Sequence, residues 1–121
     1  MIRYYTVTAL FIFIAGNSAA AIEMTENKVI RNTDYKLLFT PSKNHFVKTC
    51  LIGPDVEVDF EVDQGPGRKR AYYTLKNPNT ISEYVSCAEI AVIGGQEMKA
   101  KVDPTGGNSA ALVSIDAALQ P

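Results

Sequence analysis

The amino-acid sequence predicts an all-β fold: an antiparallel sandwich or small barrel of about seven or eight strands with one disulfide, after an N-terminal signal helix. Three observations predict it. Asp55-Val-Glu-Val-Asp-Phe-Glu-Val-Asp63 alternates acidic and apolar residues without a break. That is the period of a strand with one face in a core and one in water. Gly and Pro punctuate the chain at strand-length intervals, at Pro41, Gly53-Pro54, Gly65-Pro-Gly67 and Gly94-Gly95. Two cysteines, Cys50 and Cys87, form an even set with no third candidate.

The chain has 121 residues, one domain's worth. Residues 1–21 read as an address label. Arg3 gives a positive start, residues 7 to 16 an apolar stretch, and Ala19 with Ala21, or Ser18 with Ala20, a small-x-small cleavage pattern. The apolar run falls short of the roughly 20 residues a bilayer needs, so a cleaved signal peptide is expected rather than a retained anchor. No cysteine lies near the cleavage site to carry a lipid. Residues 22–121 are then a single exported β domain, periplasmic or secreted, with no stable membrane span after cleavage. Export places both cysteines where thiols oxidise, which predicts a structural Cys50–Cys87 bridge. A redox pair would want Cys-x-x-Cys spacing.

Within the exported part, Lys28 to Arg31 reads as a short first strand. Tyr35 to Phe39 and Phe46 to Ile52 follow, each stopped by a proline turn. The strongest element is a hairpin from about Val56 to Leu75, turning at Pro66-Gly67. Its register follows from matching both faces at once. Val62 opposes Ala71, Phe60 opposes Tyr73 and Val58 opposes Leu75 on the buried side. Asp63 opposes Arg70, Glu61 opposes Tyr72 and Glu57 opposes Lys76 on the wet side. Ser82 to Ile93 and Gln96 to Val102 are further strands, and Gly94-Gly95 suits a second hairpin turn between them. Ala110 to Leu119 fits either period. Its β-branched Val113 and Ile115 favour a strand. With no Trp and with cysteines this close together, an antibody-type domain is not expected.

Composition narrows function. Twelve basic residues stand against thirteen acidic ones, net −1, which argues against a nucleic-acid partner. One histidine and two cysteines are too few for a zinc site. His45, in a loop between strands, lacks the partners of a catalytic triad, and no nucleophile elbow is present. No catalytic residue, metal or cofactor is therefore assigned. The carboxylate row from Asp55 to Asp63 repeats at about 6.5–7 Å on one face, a spacing also used by inverting glycosidases. It is read first as a solvated acidic face. Arg68, Lys69 and Arg70 at the hairpin tip, with Tyr72 beside Glu61, are the candidate partner-binding residues. The resulting expectation is a non-enzymatic exported module that binds a protein or polysaccharide or joins an envelope assembly. An inhibitor or immunity protein is the first alternative, and a small carboxylate-dependent hydrolase the second.

Overall fold

The structure is a computed structural model that describes residues 2–6, 22–80 and 83–121. Two sheets pack face to face. One runs in the order β1 (Ile2–Thr6), β7 (Glu83–Val92), β4 (His45–Ile52), β9 (Ala111–Leu119), β2 (Ile22–Ile30). The other runs β3 (Lys36–Phe39), β8 (Met98–Val102), β5 (Val56–Val62), β6 (Ala71–Asn77). Without β1, each sheet has four strands and is wholly antiparallel. β1 adds to the outer edge of β7 in parallel. Of the segment read as a signal peptide, these five residues are described, and they form a strand; the apolar stretch and the cleavage pattern lie outside the described residues. No helix among the described residues is long and apolar enough to cross a membrane.

The alternating segment is the centre of the second sheet. Val56, Val58, Phe60 and Val62 are all 2% exposed or less, and β8 and β6 flank them with Met98, Ala100, Val102 and Leu75. Val47, Leu51, Val113, Ile115 and Ala117 fill the gap from the opposite sheet. Burying each large side chain contributes about 1.5–3 kcal/mol before entropy is counted. The hairpin register is as expected, from Val56 opposite Asn77 to Val62 opposite Ala71. Its turn closes with Arg68 N–H donating to the Gly65 carbonyl, and Gly67 takes the positive φ that a Pro-Gly type II turn requires. The last strand is a strand, because Ala111, Val113, Ile115 and Ala117 are buried at period two.

Three expectations are corrected. Gly94-Gly95 is not a hairpin turn. β7 and β8 lie in different sheets, and the two glycines carry the chain across the sandwich. A Cβ on Gly94 would sit 2.8 Å from the Lys43 Cα, so only glycine lets the crossing pack under loop 41–44. β5–β6 is the one hairpin between β2 and β9; every other connection there changes sheets. His45 is not a solvated loop residue either. It opens β4 at 5% exposure, and its Nδ1 donates to the Lys43 carbonyl at 2.6 Å, with the Phe39 ring edge-on. The first strand is longer than the four residues expected, spanning Ile22–Ile30 because β9 offers it a full-length antiparallel partner.

Cys50 and Cys87 are bonded, with Cα atoms 4.1 Å apart. They are register partners on adjacent strands, β4 and β7. The bridge lies on the outer face of its sheet, since Thr49 and Leu51 on either side of Cys50 point into the core with no exposure. A disulfide of this kind suits an oxidising compartment.

Candidate functional site: the outer face of the β3-β8-β5-β6 sheet

The inward faces of β5, β6 and β8 are apolar but for Asn77 at the end of β6, and their alternate residues all emerge on one outer face. β5 is a central strand, and its acids therefore stand between two rows of neighbours. Glu57 is paired with Lys76, Nζ to Oε1 3.7 Å. Asp59 accepts a hydrogen bond from Thr74 Oγ1 at 2.8 Å and has Lys101 as its partner on β8. Glu61 lies between Tyr72 and Lys99, with the Arg70 guanidinium 3.9 Å away. Glu61 is only 8% exposed. The expected open acidic face is thus a charge-paired, half-covered one, because the hairpin's own Arg70 and Lys76 pair with the acids and β8 covers their other side.

The row is also shorter than its sequence. Asp55 precedes the strand in a turn with φ +56, and its backbone N–H bonds to the Pro78 carbonyl. Asp63 follows the strand and accepts from the Gly65 N–H at 3.0 Å instead of facing Arg70. Arg70 turns to Glu61 instead.

At the β3 side, Tyr35 approaches Tyr72, ring centres 6.1 Å apart, and Lys101 Nζ lies 4.7 Å above the Tyr35 ring. Such a cation–π contact at an exposed site contributes about 0.5–1 kcal/mol. Partial burial, then the Asp59 and Glu61 charges, raise the Tyr35 phenol above its usual range. Tyr72 is 60% exposed, the most open large ring of the face. Arg68, Lys69 and Arg70 stand exposed at the adjoining hairpin tip. The structure thus brings Arg70 and Tyr72 together at Glu61 and leaves Arg68 and Lys69 at the tip. Tyr73, by contrast, turns inward to stack on Phe60 at 4.6 Å and to share a 2.9 Å hydrogen bond with Thr49 Oγ1; burial raises its phenol strongly.

Tyr35, Lys101 and Asp103 are members of this face that the local sequence does not reveal. Lys101 and Asp103 arrive through β8, which inserts beside β5 from a distant part of the chain, and Tyr35 through β3, which pairs with β8 on its other side. Glu57, Asp59 and Asp103 offer carboxylate oxygens within 4.8 Å of one another. Three oxygens on a flat sheet are about half of what calcium takes, and Lys76 and Lys101 crowd the flanks. Proton sharing is the better-supported chemistry. Burial, then Asp103, raises Glu57, while the Thr105 backbone N–H, seconded by its hydroxyl and by Glu57, lowers Asp103. Of the two carboxylates, Glu57 is therefore the one that takes up a proton first as pH falls.

A pH prediction follows from the raised Glu57. A carboxyl whose folded value is raised binds its proton more readily in the folded state. Its contribution is fully present below the ordinary glutamate range and is lost as pH rises through the raised folded value. Glu57→Gln should remove that loss. Urea midpoints measured from pH 4 to 7 should fall less steeply for the variant than for the parent.

The fold and this face together define a small disulfide-bonded β-sandwich with a charge-paired, aromatic outer surface. Comparison with protein-family models, with curated proteins and with solved structures finds no match.

Proposed function

We propose that the chain is exported with loss of residues 1–21, and that the remaining body is a non-enzymatic binding or assembly module of the cell envelope, periplasmic or secreted. The observation that carries this reading is the pairing of exposed Tyr72 with Tyr35 beside Arg70 on a rigid sheet, continued by Arg68 and Lys69 at the tip. Tyrosine rings give large contact area at little rotamer cost, and a guanidinium fork adds directed hydrogen bonds. That combination suits a protein or polysaccharide partner. The disulfide supports export. The engagement of Glu57, Asp59 and Glu61 with Lys76, Thr74 and Arg70 supports a binding rather than a hydrolytic role.

The test is retention of the exported protein on envelope fractions of its own source, separated into protein and polysaccharide. Tyr72→Ala combined with Arg70→Ala should weaken retention about tenfold or more, since each truncation at a contact centre costs about 1 kcal/mol or more. Unchanged retention would sink the reading. An inhibitor remains the second reading, favoured by the tip itself, which is locked by the Gly65 carbonyl accepting from the Arg68 N–H and the Asp63 carboxylate accepting from the Gly65 N–H. It requires that Arg68→Ala alone abolish blockade of a partner enzyme. Release of soluble fragments from the polysaccharide, lost on Asp59→Asn, would move the assignment to a hydrolase.

A further inference from the structure

We propose that the outer edge of β7 is a docking groove for an extended strand donated by another polypeptide, added parallel to β7. This rests on the export reading, because the present occupant of that edge is residues 2–6, which lie within the segment that export would remove. β1 runs beside β7 from Ile2 opposite Glu83 to Thr6 opposite Cys87. The edge thus accepts five consecutive residues in one register. Beyond Cys87, β7 continues to Val92, and no described strand pairs with that half on its outer side.

Loss of β1 would leave an exposed row of backbone donors and acceptors, the usual template for strand addition. The side chains along this edge are not those of a protected one. Val85 and Cys87 lie on the outer face of the sheet, in line with Cys50, yet are only 8% and 4% exposed. Ala88, Ile90 and Ala91 continue an uncharged run past Cys87, interrupted by Glu89 alone. The opposite edge of the same sheet, β2, is by contrast guarded by Glu26 and Lys28.

Direction identifies the occupant. A second copy meeting this one through a two-fold axis perpendicular to the strands would set β7 antiparallel to β7. A second copy stacked by translation would bring up its β2, which also runs antiparallel to β7, since three antiparallel steps separate them. Neither reproduces the parallel seat that residues 2–6 occupy. The first and last strands of the exported body, Ile22–Ile30 and Ala111–Leu119, are already paired with each other. The occupant is therefore a separate, extended segment rich in aromatic and β-branched residues, of the kind Ile2-Arg-Tyr-Tyr-Thr6 represents.

The experiment uses the full chain, expressed and recovered from the compartment to which it is exported, with its N-terminus read by mass spectrometry. The protein is unfolded and refolded with its disulfide intact, which removes any donor acquired in the cell. A synthetic peptide of residues 1–8 is then added. At a hundredfold excess over Kd, the unfolding midpoint should rise by about 10 °C, at one peptide per protein. Contacts between peptide Tyr4 and the Val85 amide should appear in isotope-edited NMR spectra. The same peptide with Tyr4→Pro and Tyr5→Pro, which removes a ladder donor whichever of the two faces β7, should give no shift. A midpoint unmoved by the first peptide overturns the groove. So does self-association that the peptide fails to displace, which assigns the edge to a second copy. A recovered mass that retains residues 1–21 overturns the export reading, and with it the donation in trans.

Discussion

Replacing Asn77 by alanine is expected to lower the unfolding free energy by about 4 kcal/mol, a large share of the roughly 5–15 kcal/mol that holds a domain of this size. Asn77 closes β6 at 1% exposure. Its Nδ2 donates to the carbonyls of Leu51 at 2.9 Å, Gly53 at 2.6 Å and Tyr84 at 3.1 Å, and its Oδ1 accepts from the Ser86 hydroxyl at 2.6 Å. One amide thereby joins β6 to both β4 and β7 across the sandwich. Alanine would take the amide donor from the Leu51 carbonyl and leave the Ser86 hydroxyl only its 3.3 Å bond to the Lys76 carbonyl, in a site water does not reach. Each such orphan costs about 1–3 kcal/mol. Ser86→Ala removes one donor and keeps the amide, so it should cost only about 1 kcal/mol. Urea denaturation of both variants checks the pair. A cost below about 1.5 kcal/mol for Asn77→Ala would mean that the amide is not the clasp the geometry describes.

Removing the bridge with Cys50→Ala and Cys87→Ala should destabilise by a similar amount. The closed loop spans 37 positions, and restricting it in the unfolded chain stabilises by about 4 kcal/mol on the chain-entropy account. The bridge joins neighbouring strands of one sheet. The two sheets are held together by the core and by Asn77, so the native fold should survive its loss. The double variant should therefore keep the far-ultraviolet spectrum of the parent with a lower midpoint, and reductant should move the parent to the same value. Reductant that leaves the parent's midpoint unchanged would remove the disulfide from the stability argument. The same measurement bears on location. Residues 22–121 produced in the cytosol should show both thiols titratable and the lower midpoint.

How far the sequence could be read depends on the distance over which each feature is decided. The β5–β6 hairpin is legible to the residue because its two faces and its Pro66-Gly67 turn all lie within one short stretch, and a slip of one position would invert every side chain. The bridge is legible because only one pairing exists. Arg70 and Tyr72 are legible as outward-facing residues because local charge and alternation put them on the wet side.

Sequence alone therefore determined the all-β class, the hairpin register, the bridge and the inward turn of Phe60 and Tyr73, since period-two burial and cross-strand matching are local. Tertiary structure decided the rest. It placed β8 beside β5, so that Lys99, Lys101 and Asp103 flank the carboxylates and Tyr35 is drawn over the same face, while the ion pairs to Glu57 and Glu61 come from the hairpin itself. It drew His45 and Asn77 into buried positions and seated β1 on β7. These contacts join residues far apart in the chain, and their free energy comes from desolvation and long-range pairing, which no local window of sequence contains.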